Sequence, residues 1–453
     1  MKRAILYIVL AIMLSGCSVY RKFPQTTEVD KNLFGEEYIT ADTTTIASLS
    51  WRELFQDRHL QQLIDTALVR NTDLRTAYLR TEQAEAVLMN ARLSHLPSVG
   101  VSAEGTVGKS GGTASKSYTI GASASWEIDI FGKTTNAKRG AQEALESSKA
   151  YAQAVQTNLV ATVANGYYTL LMLDEQLSIS KQTLESWQKS VRVLESLKRG
   201  GGGVTDAAVL QAKANCMALE SEILSIEKSI KESENALCTL LATTPTPIQR
   251  GCLADQQFPS ELSVGVPLQL LANRPDVRVA EHQLAQAFYA TNVARAAFYP
   301  SISLSGTLGW TNGAGGVELN PAGWLLNAIG SLVQPLFNRG ANIANLKIAK
   351  AEQEVAVLNF QQSLLNAGAE VNDAITALQT ARRKLDIDNA QVVTLQEAVR
   401  KTELLMRHSS ANYLEVLTAQ QTLLSAEQAV AQDRFDEIQS IITLYHALGG
   451  GVK

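Results

Sequence analysis

The chain has 453 residues, 45% of them hydrophobic, with 40 Lys and Arg against 44 Asp and Glu and a formal net charge of −4. So mild a balance over this length excludes a nucleic-acid surface, which needs a clustered basic excess. Five scattered histidines and four cysteines without a C-x-x-C pair exclude the usual spacing of a metal site.

At the start, Lys2-Arg3 precede an apolar run from Ala4 to Leu14, which leads into Leu14-Ser15-Gly16-Cys17. That is the layout of a secretory signal. The run is about eleven residues, where a membrane-crossing helix needs about twenty. Residues 1–16 are therefore expected to be removed as a signal peptide. Leu-Ser-Gly-Cys resembles the bacterial lipoprotein signal, which implies that Cys17 is acylated and becomes the first residue of a lipidated segment, 17–55. Ser18 stands where lipoproteins kept at the inner membrane commonly have Asp, which points to the outer membrane. No later stretch is apolar for long enough to cross a bilayer as a helix, so further membrane contact must come from strands. The remaining Cys216, Cys238 and Cys252 read as small core residues or one incidental bridge.

The chain is internally duplicated. Shifted by 203 residues, Asp73 falls on Asp276, Arg75 on Arg278, Ala91 on Ala294, Arg92 on Arg295 and Pro97 on Pro300. Further on the offset grows slightly, with Phe131 on Phe337, Val163 on Val371 and Leu210 on Leu417. A repeat this long indicates duplication within one fold, because solenoid repeats are usually about 20–50 residues. The copies are expected at 56–244 and 276–453, joined by a proline-containing linker at 245–275.

Each copy has the same order of elements. A helical stretch, about 56–95 and again about 276–298, stops at Pro97 or Pro300, where a helix cannot easily continue. Strands follow. In 98–130, Val99, Val101, Ala103 and Val107 alternate with Ser98, Ser102, Glu104 and Thr106. After a loop at about 109–117, Tyr118, Ile120, Ala122, Ala124, Trp126 and Ile128 alternate with Thr119, Ser123, Ser125 and Glu127. In 301–336, Ile302, Leu304, Leu308 and Trp310 alternate with Ser301, Ser303, Ser305 and Thr307, and the return strand, about 324–336, alternates less cleanly. Period two with one apolar and one polar face describes a strand between two environments. About ten to thirteen residues is the length that crosses an outer membrane when tilted. Four strands cannot close a barrel, so several copies must combine, and strand arithmetic alone allows a dimer of eight or a trimer of twelve.

After Phe131-Gly132-Lys133 and Phe337-Asn338-Arg339-Gly340 come helical hairpins, 133–242 and 339–448. The first helix of each, Lys133 to Arg199 and Arg339 to Arg407, would reach about 100 Å, beyond any globular core. Such helices need partners along their length, and heptads supply them: Leu385, Val392, Val399 and Met406 on one, Leu417, Leu424, Ala431, Ile438 and Tyr445 on the next. The first hairpin turns at Arg199-Gly200-Gly201-Gly202-Gly203-Val204-Thr205-Asp206, where Thr205 or Asp206 can cap the returning helix. The second turns at Arg407-His408-Ser409-Ser410-Ala411-Asn412-Tyr413.

Four segments carry a family resemblance: Leu271-Ala272-Asn273-Arg274-Pro275-Asp276-Val277, Ala294-Arg295-Ala296-Ala297-Phe298-Tyr299-Pro300-Ser301, Trp126-Glu127-Ile128-Asp129-Ile130-Phe131-Gly132-Lys133, and Gln334-Pro335-Leu336-Phe337-Asn338-Arg339-Gly340. Together they resemble the TolC-like outer-membrane efflux family, specifically its lipidated, NodT-type branch serving multidrug pumps of the resistance-nodulation-division type. The resemblance implies an α+β membrane protein: a trimeric 12-stranded β-barrel, four strands per chain, continued by a long periplasmic α-helical coiled-coil barrel. It implies an exit duct of a tripartite system, a homotrimer partnered by a periplasmic adaptor and an inner-membrane pump, with no cofactor. The tips would dock the adaptor through Gly203, Val204, Thr205, Ser409, Ser410 and Ala411, with Ser409 where many relatives have Gly. Charged residues beside the tips, Arg199, Asp206, Glu403 and Arg407, are the candidate gate latch. Pro97, Gly132, Pro275, Asp276, Pro300 and Gly340 are expected as structural junctions, with Pro275 in a first helical turn and Asp276 facing the positive end of the helix dipole.

An enzyme is excluded by its missing motifs. Gly132-Lys133-Thr134-Thr135 looks like the end of a phosphate loop, but the required glycine five residues earlier is Glu127. H-E-x-x-H does not occur, and the one G-x-S-x-G, Gly108-Lys109-Ser110-Gly111-Gly112, falls in the loop between two strands rather than at a strand-to-helix turn. Two alternatives share the features above: an exit duct for type I protein secretion, and a non-conducting periplasmic coiled-coil lipoprotein, for which long amphipathic strands have no use.

Overall fold

The computed structural model describes residues 49–110, 113–200, 204–258, 274–311, 324–407 and 413–450. In chain order these form α1 (Trp51–Leu54), α2 (Arg58–Arg70), α3 (Thr72–Leu93), β1 (Ser98–Ser110), β2 (Thr113–Ile128), α4 (Lys133–Arg199), α5 (Asp206–Leu240), α6 (Pro275–Ala296), β3 (Ser301–Thr311), β4 (Trp324–Val333), α7 (Ala341–Arg407) and α8 (Tyr413–Ala447). Two compact units emerge, and each draws on both copies of the duplication. Of the described residues, Tyr78–Tyr151 with Asp276–Ser363 make the first, and the second is built from 49–77, those within Ala152–Pro275 and those from Leu364 onward.

The first unit holds a four-stranded antiparallel sheet in the order β1-β2-β3-β4. Its register keeps the predicted faces together. Val101 lies opposite Ala122, Ala122 opposite Leu308 and Leu308 opposite Leu326. On the other face Ser98 meets Ser125, Ser125 meets Ser305, and Ser303 meets Ser331. The apolar face is uncovered in the single chain, with Val101 81% and Leu326 80% exposed. β4 departs from the pattern, since Ile329 and Val333 share the polar face, opposite Ser305 and Ser301. The strands run closer to their turn than the expected 109–117 loop, because Ser110 still pairs with Thr113. The return strand ends at Val333, short of 336, as Pro335 has no N–H for a ladder. On the polar face Gly121 and Gly309 lie opposite one another, and a Cβ at Gly309 would stand 2.3 Å from the Ile120 carbonyl oxygen.

The second unit is a helical bundle whose core includes Tyr167, Tyr168, Leu170, Leu171, Leu237 and Ile375. The heptad residues Leu417, Leu424, Ala431, Ile438 and Tyr445 of α8 are all buried, whereas Leu385, Val392, Val399 and Met406 of α7 are half-buried in the single chain. The helical stretch expected over 56–95 is broken at Asn71, whose Oδ1 accepts from the backbone N–H groups of Asp73 and Leu74 and whose Nδ2 donates to the Leu240 carbonyl. That side chain caps α3 and competes with continuous helix. Among the cysteines, Cys216 and Cys238 are buried and unbridged. Cys252 is exposed, which departs from the core reading because it precedes a surface 3-10 turn, Leu253–Asp255.

Gly309→Val should force β2 and β3 apart, since the added Cβ meets backbone rather than a movable side chain. The expected outcome is loss of the folded, outer-membrane-inserted form while Gly105→Ala, whose Cβ would meet nothing within 4 Å, remains inserted; heat-modifiable gel mobility of outer-membrane fractions checks it.

Candidate functional site

Three places carry the sequence-predicted residues. At the strand-to-helix junctions, Pro97 and Pro300 immediately precede β1 and β3. Gly132 takes φ 65° and Gly340 φ 77°, left-handed values that glycine adopts without a Cβ penalty. The second long helix begins at Ala341, two residues after the expected Arg339, because Arg339 is itself left-handed at φ 48°. Asp129 anchors the first junction: its carboxylate accepts from the N–H groups of Thr134 at 3.1 Å and Thr135 at 2.7 Å and from the Thr135 hydroxyl at 2.6 Å. It neutralises orphan donors at the start of a 67-residue helix and sits at the positive end of its dipole. Trp126 Nε1 donates to the His95 carbonyl at 2.9 Å, and Phe131 stacks on Tyr299 at 5.0 Å.

The second place is the start of α6. Pro275 is its first residue and is buried, and Asp276 follows in the first turn. Arg274, 3% exposed, donates to the Ala447 carbonyl at 2.8 Å and to Glu370 at 2.6 Å. It thereby satisfies a carbonyl at the end of α8, while Gly449, at φ 80°, packs against it.

The tips are the third. Cys17, Gly203, Ser409, Ser410 and Ala411 lie outside the described residues. Thr205 is the N-cap of α5, its hydroxyl accepting from Ala208 N–H at 3.2 Å, so of the two capping candidates the cap is Thr205. Val204 packs on a core cluster of Trp187, Val191, Leu194, Val209, Ala212 and Tyr413. Burial pushes the Tyr413 hydroxyl up to about 12, so it stays neutral. Among the described side chains of one chain, Arg199, Asp206 and Glu403 do not pair with one another. Asp206 pairs with Lys198, a residue the sequence reading passed over for its neighbour, and Arg199 donates instead to the Glu195 carbonyl at 3.3 Å. Glu195 pairs with Lys213 at 2.7 Å, and Glu403 accepts from Gln420 at 2.9 Å. Arg407 ends α7. Both Lys198 and Asp206 are well exposed, and such surface pairs contribute about 0–1 kcal/mol. Within one chain this is a weak clasp.

A stronger polar network goes unsignalled in the sequence. Arg250, in the linker, bonds Asp174 of α4 at 2.5 and 3.0 Å and Glu234 of α5 at 2.8 Å. Nearby, Asp57 accepts from the Tyr167 hydroxyl at 2.6 Å, His59 N–H at 2.8 Å and Gln256 at 3.0 Å. Burial pushes both carboxyls up, yet hydrogen bonds outweigh it and leave each below the ordinary value: chiefly Tyr167 for Asp57, and Arg250 and Lys231 for Glu234. No spacing marks these residues, which lie far apart in the chain and meet only through the fold. Among the described residues no group of His, Cys, Asp and Glu could hold a metal ion.

A four-stranded sheet with one apolar and one polar face, each hairpin followed by a 67-residue helix and its 35-residue return, is the subunit fold of an outer-membrane export channel. The chain belongs to the outer membrane efflux protein family, whose model matches it twice, over residues 63–243 and 266–450. Residues 1–18 match the prokaryotic membrane lipoprotein lipid attachment site, which makes it a lipid-anchored protein of the outer membrane. It is similar to the cation efflux system protein CusC of Escherichia coli K12, 29% identical over 98% of each chain. It is likewise similar to the probable efflux pump outer membrane protein TtgC of Pseudomonas putida, 31% identical over 98% of this chain and 94% of the other. Among solved structures, the open state of the Neisseria gonorrhoeae MtrE outer membrane channel superposes with a TM-score of 0.83 at 30% identity, over 96% of this chain and 98% of that one. The family is one of channels rather than enzymes.

Because their pKa values are lowered, Asp57 and Glu234 contribute stability that is present above the unfolded carboxylate pKa of about 4 and is lost as pH falls through the folded values. Thermal unfolding in detergent should show Glu234→Gln less stable than the parent at pH 7, with a smaller further loss between about pH 5 and pH 3. Arg250→Met, which strands two carboxylates, should cost toward the lower end of about 3–5 kcal/mol, Asp174 being partly exposed.

Proposed function

We propose that three copies of this chain close a twelve-stranded barrel and form the passive exit duct of a tripartite efflux system. A periplasmic adaptor docks on the hairpin tips, and an inner-membrane pump of the resistance-nodulation-division type supplies the energy. The observation that carries the reading is the sheet itself: four strands, apolar on one face and polar on the other, whose outer edges have no strand partner among the described residues. In a bilayer an unpaired strand edge leaves several kcal/mol of unsatisfied backbone per group, so only closure with further copies is tolerable. The relatives named for efflux of cations and as an efflux pump component support small solutes as cargo in preference to secreted protein.

Cys17 carries the lipid and holds the N-terminus at the outer membrane. Pro97, Gly132, Pro300 and Gly340 set the angle at which strands pass into helices, and Pro275 with Asp276 starts the helix of the second copy. The tips, Gly203, Val204 and Thr205 in the first hairpin and Ser409, Ser410 and Ala411 in the second, meet the adaptor. Arg199, Asp206, Glu403 and Arg407, with Lys198 added by geometry, hold the tips shut. Lys198 pairs with Asp206 inside one hairpin, so opening exchanges that pair for contacts between copies.

Expressed with its cognate adaptor and pump in a strain lacking its own exit channel, the chain should restore resistance to an exported dye by at least fourfold or so in minimum inhibitory concentration. Omitting the adaptor should abolish the effect. Restoration of secretion of a type I substrate without dye resistance would place the protein in the other transport class, and rescue without any adaptor would remove the tips from the account.

A further inference from the structure

Within the second unit a cavity of about 280 Å³ opens among α4, α7, α8 and the linker. Ile179 lines it from α4, Val430 and Ala431 from α8 and Val392 from α7, while Leu253 of the linker's 3-10 turn closes one end. All five are apolar. Leu253 and Ala431 are buried, and the other three are half-buried.

Three charged side chains share this lining. Glu175 stands one helical turn from Ile179, and Glu427 and Arg434 stand one turn to either side of Val430 and Ala431. The positive group is already engaged, since Arg434 donates to Glu437 at 2.5 Å and to the Gln256 carbonyl at 2.8 Å. The negative groups are not. Glu427 accepts from the neutral Gln396 amide at 3.2 Å, and among the described residues neither Glu427 nor Glu175 forms an ion pair.

We propose that this cleft binds a small amphiphilic organic cation, a body of one or two rings carrying an ammonium group, with the rings against Ile179, Leu253 and Val430 and the ammonium directed to Glu175 and Glu427. Every wall of the cleft comes from one chain, so the site stands independently of the trimeric duct reading.

Size, polarity and rigidity each bear on the occupant. A cavity of about 150 Å³ holds a benzene ring, so about 280 Å³ suits roughly two rings and is too small for a folded peptide segment. An apolar lining with a few converging polar groups is the make-up of a ligand site. A neutral apolar ligand would strip water from Glu175 and Glu427 without replacing it, and an anion would add like charge beside them. A cation with an apolar body satisfies both halves of the lining.

The walls are also held in place. Gln428, next to Glu427, donates to the Ser180 hydroxyl of α4 at 3.1 Å and to Glu222 of α5 at 2.8 Å, and Arg434 ties α8 to the linker. A site fixed in this way loses little freedom when it is filled. A ligand touching three helices and the linker stabilises their arrangement by mass action.

The test uses the full-length lipidated protein in nanodiscs. Cys252→Ser removes the exposed native thiol, and Ala254→Cys, at an exposed position lining the cleft, serves as the reporter. The probe is naphthylmethylamine, cationic at neutral pH, beside naphthylmethanol and naphthylacetate at equal concentration. The amine should slow maleimide modification of the reporter about fivefold by covering it, and should raise the melting temperature, while the alcohol and the acid do neither. Glu175→Gln should raise the half-protecting amine concentration about tenfold, the effect of losing one charged hydrogen bond. Glu427→Gln repeats the measurement should the first variant fail to assemble, and Val430→Phe, which fills the cleft, should abolish protection. Equal protection by alcohol or acid, an unchanged half-protecting concentration in both glutamate variants, or no protection by the amine overturns the site. A protein that is protected but never conducts keeps the site and sinks the duct reading, whereas one that conducts without protection does the reverse.

Discussion

Everything in this protein follows from the unpaired edges of its four-stranded sheet. A strand edge in hydrocarbon has nothing to bond with, and no helix of the described residues is long and apolar enough to serve as a membrane anchor in its place. The apolar face is complete from β1 through β4, so the sheet is built for lipid on one side, and the serines and threonines opposite are built for water. A sheet of this kind must close, and closure requires further copies of the chain. Duplication answers the same constraint within the chain, since one hairpin and its repeat already supply a paired inner seam.

The helices meet a different constraint. A 67-residue helix has no stable existence alone at that length without side-chain partners, and α8 shows how they are supplied: its heptad residues are buried without exception, and α4, α5 and α8 pack together around Trp187, Leu194 and Tyr413 near the first tip. On α7 the corresponding stripe is only half covered, consistent with a face that completes its burial against another copy. Charge follows the same division. The Arg250 hub is largely buried and ties the linker to two helices, whereas the pairs at the tip are exposed and individually weak. Strong polar contacts fix the body, and weak ones sit where the structure is proposed to open.

Much of the fold was legible because it is periodic. Alternation located the strands, Gly132 and the glycines from Gly200 bounded α4 at Lys133 and Arg199, and heptads named the buried stripe of α8. What could not be read depends on single atoms or on distance along the chain. The break at Asn71 comes from one side-chain amide that caps a helix and reaches Leu240. The two-residue delay before α7 reflects left-handed backbone at Arg339 as well as Gly340. At the tip, Arg199 and Lys198 are equivalent in composition, and only geometry shows that Lys198 meets Asp206. The Arg250 and Asp57 networks join residues up to 199 positions apart, for which no local pattern exists.

The central claim is that this chain conducts, and single-channel recording of the purified lipoprotein in planar bilayers tests it most directly. Three-chain particles should give small, discrete conductance steps that enlarge when Lys198 or Asp206 is neutralised. Folded, membrane-inserted particles that never conduct, with the tip charges intact or removed, would contradict the account.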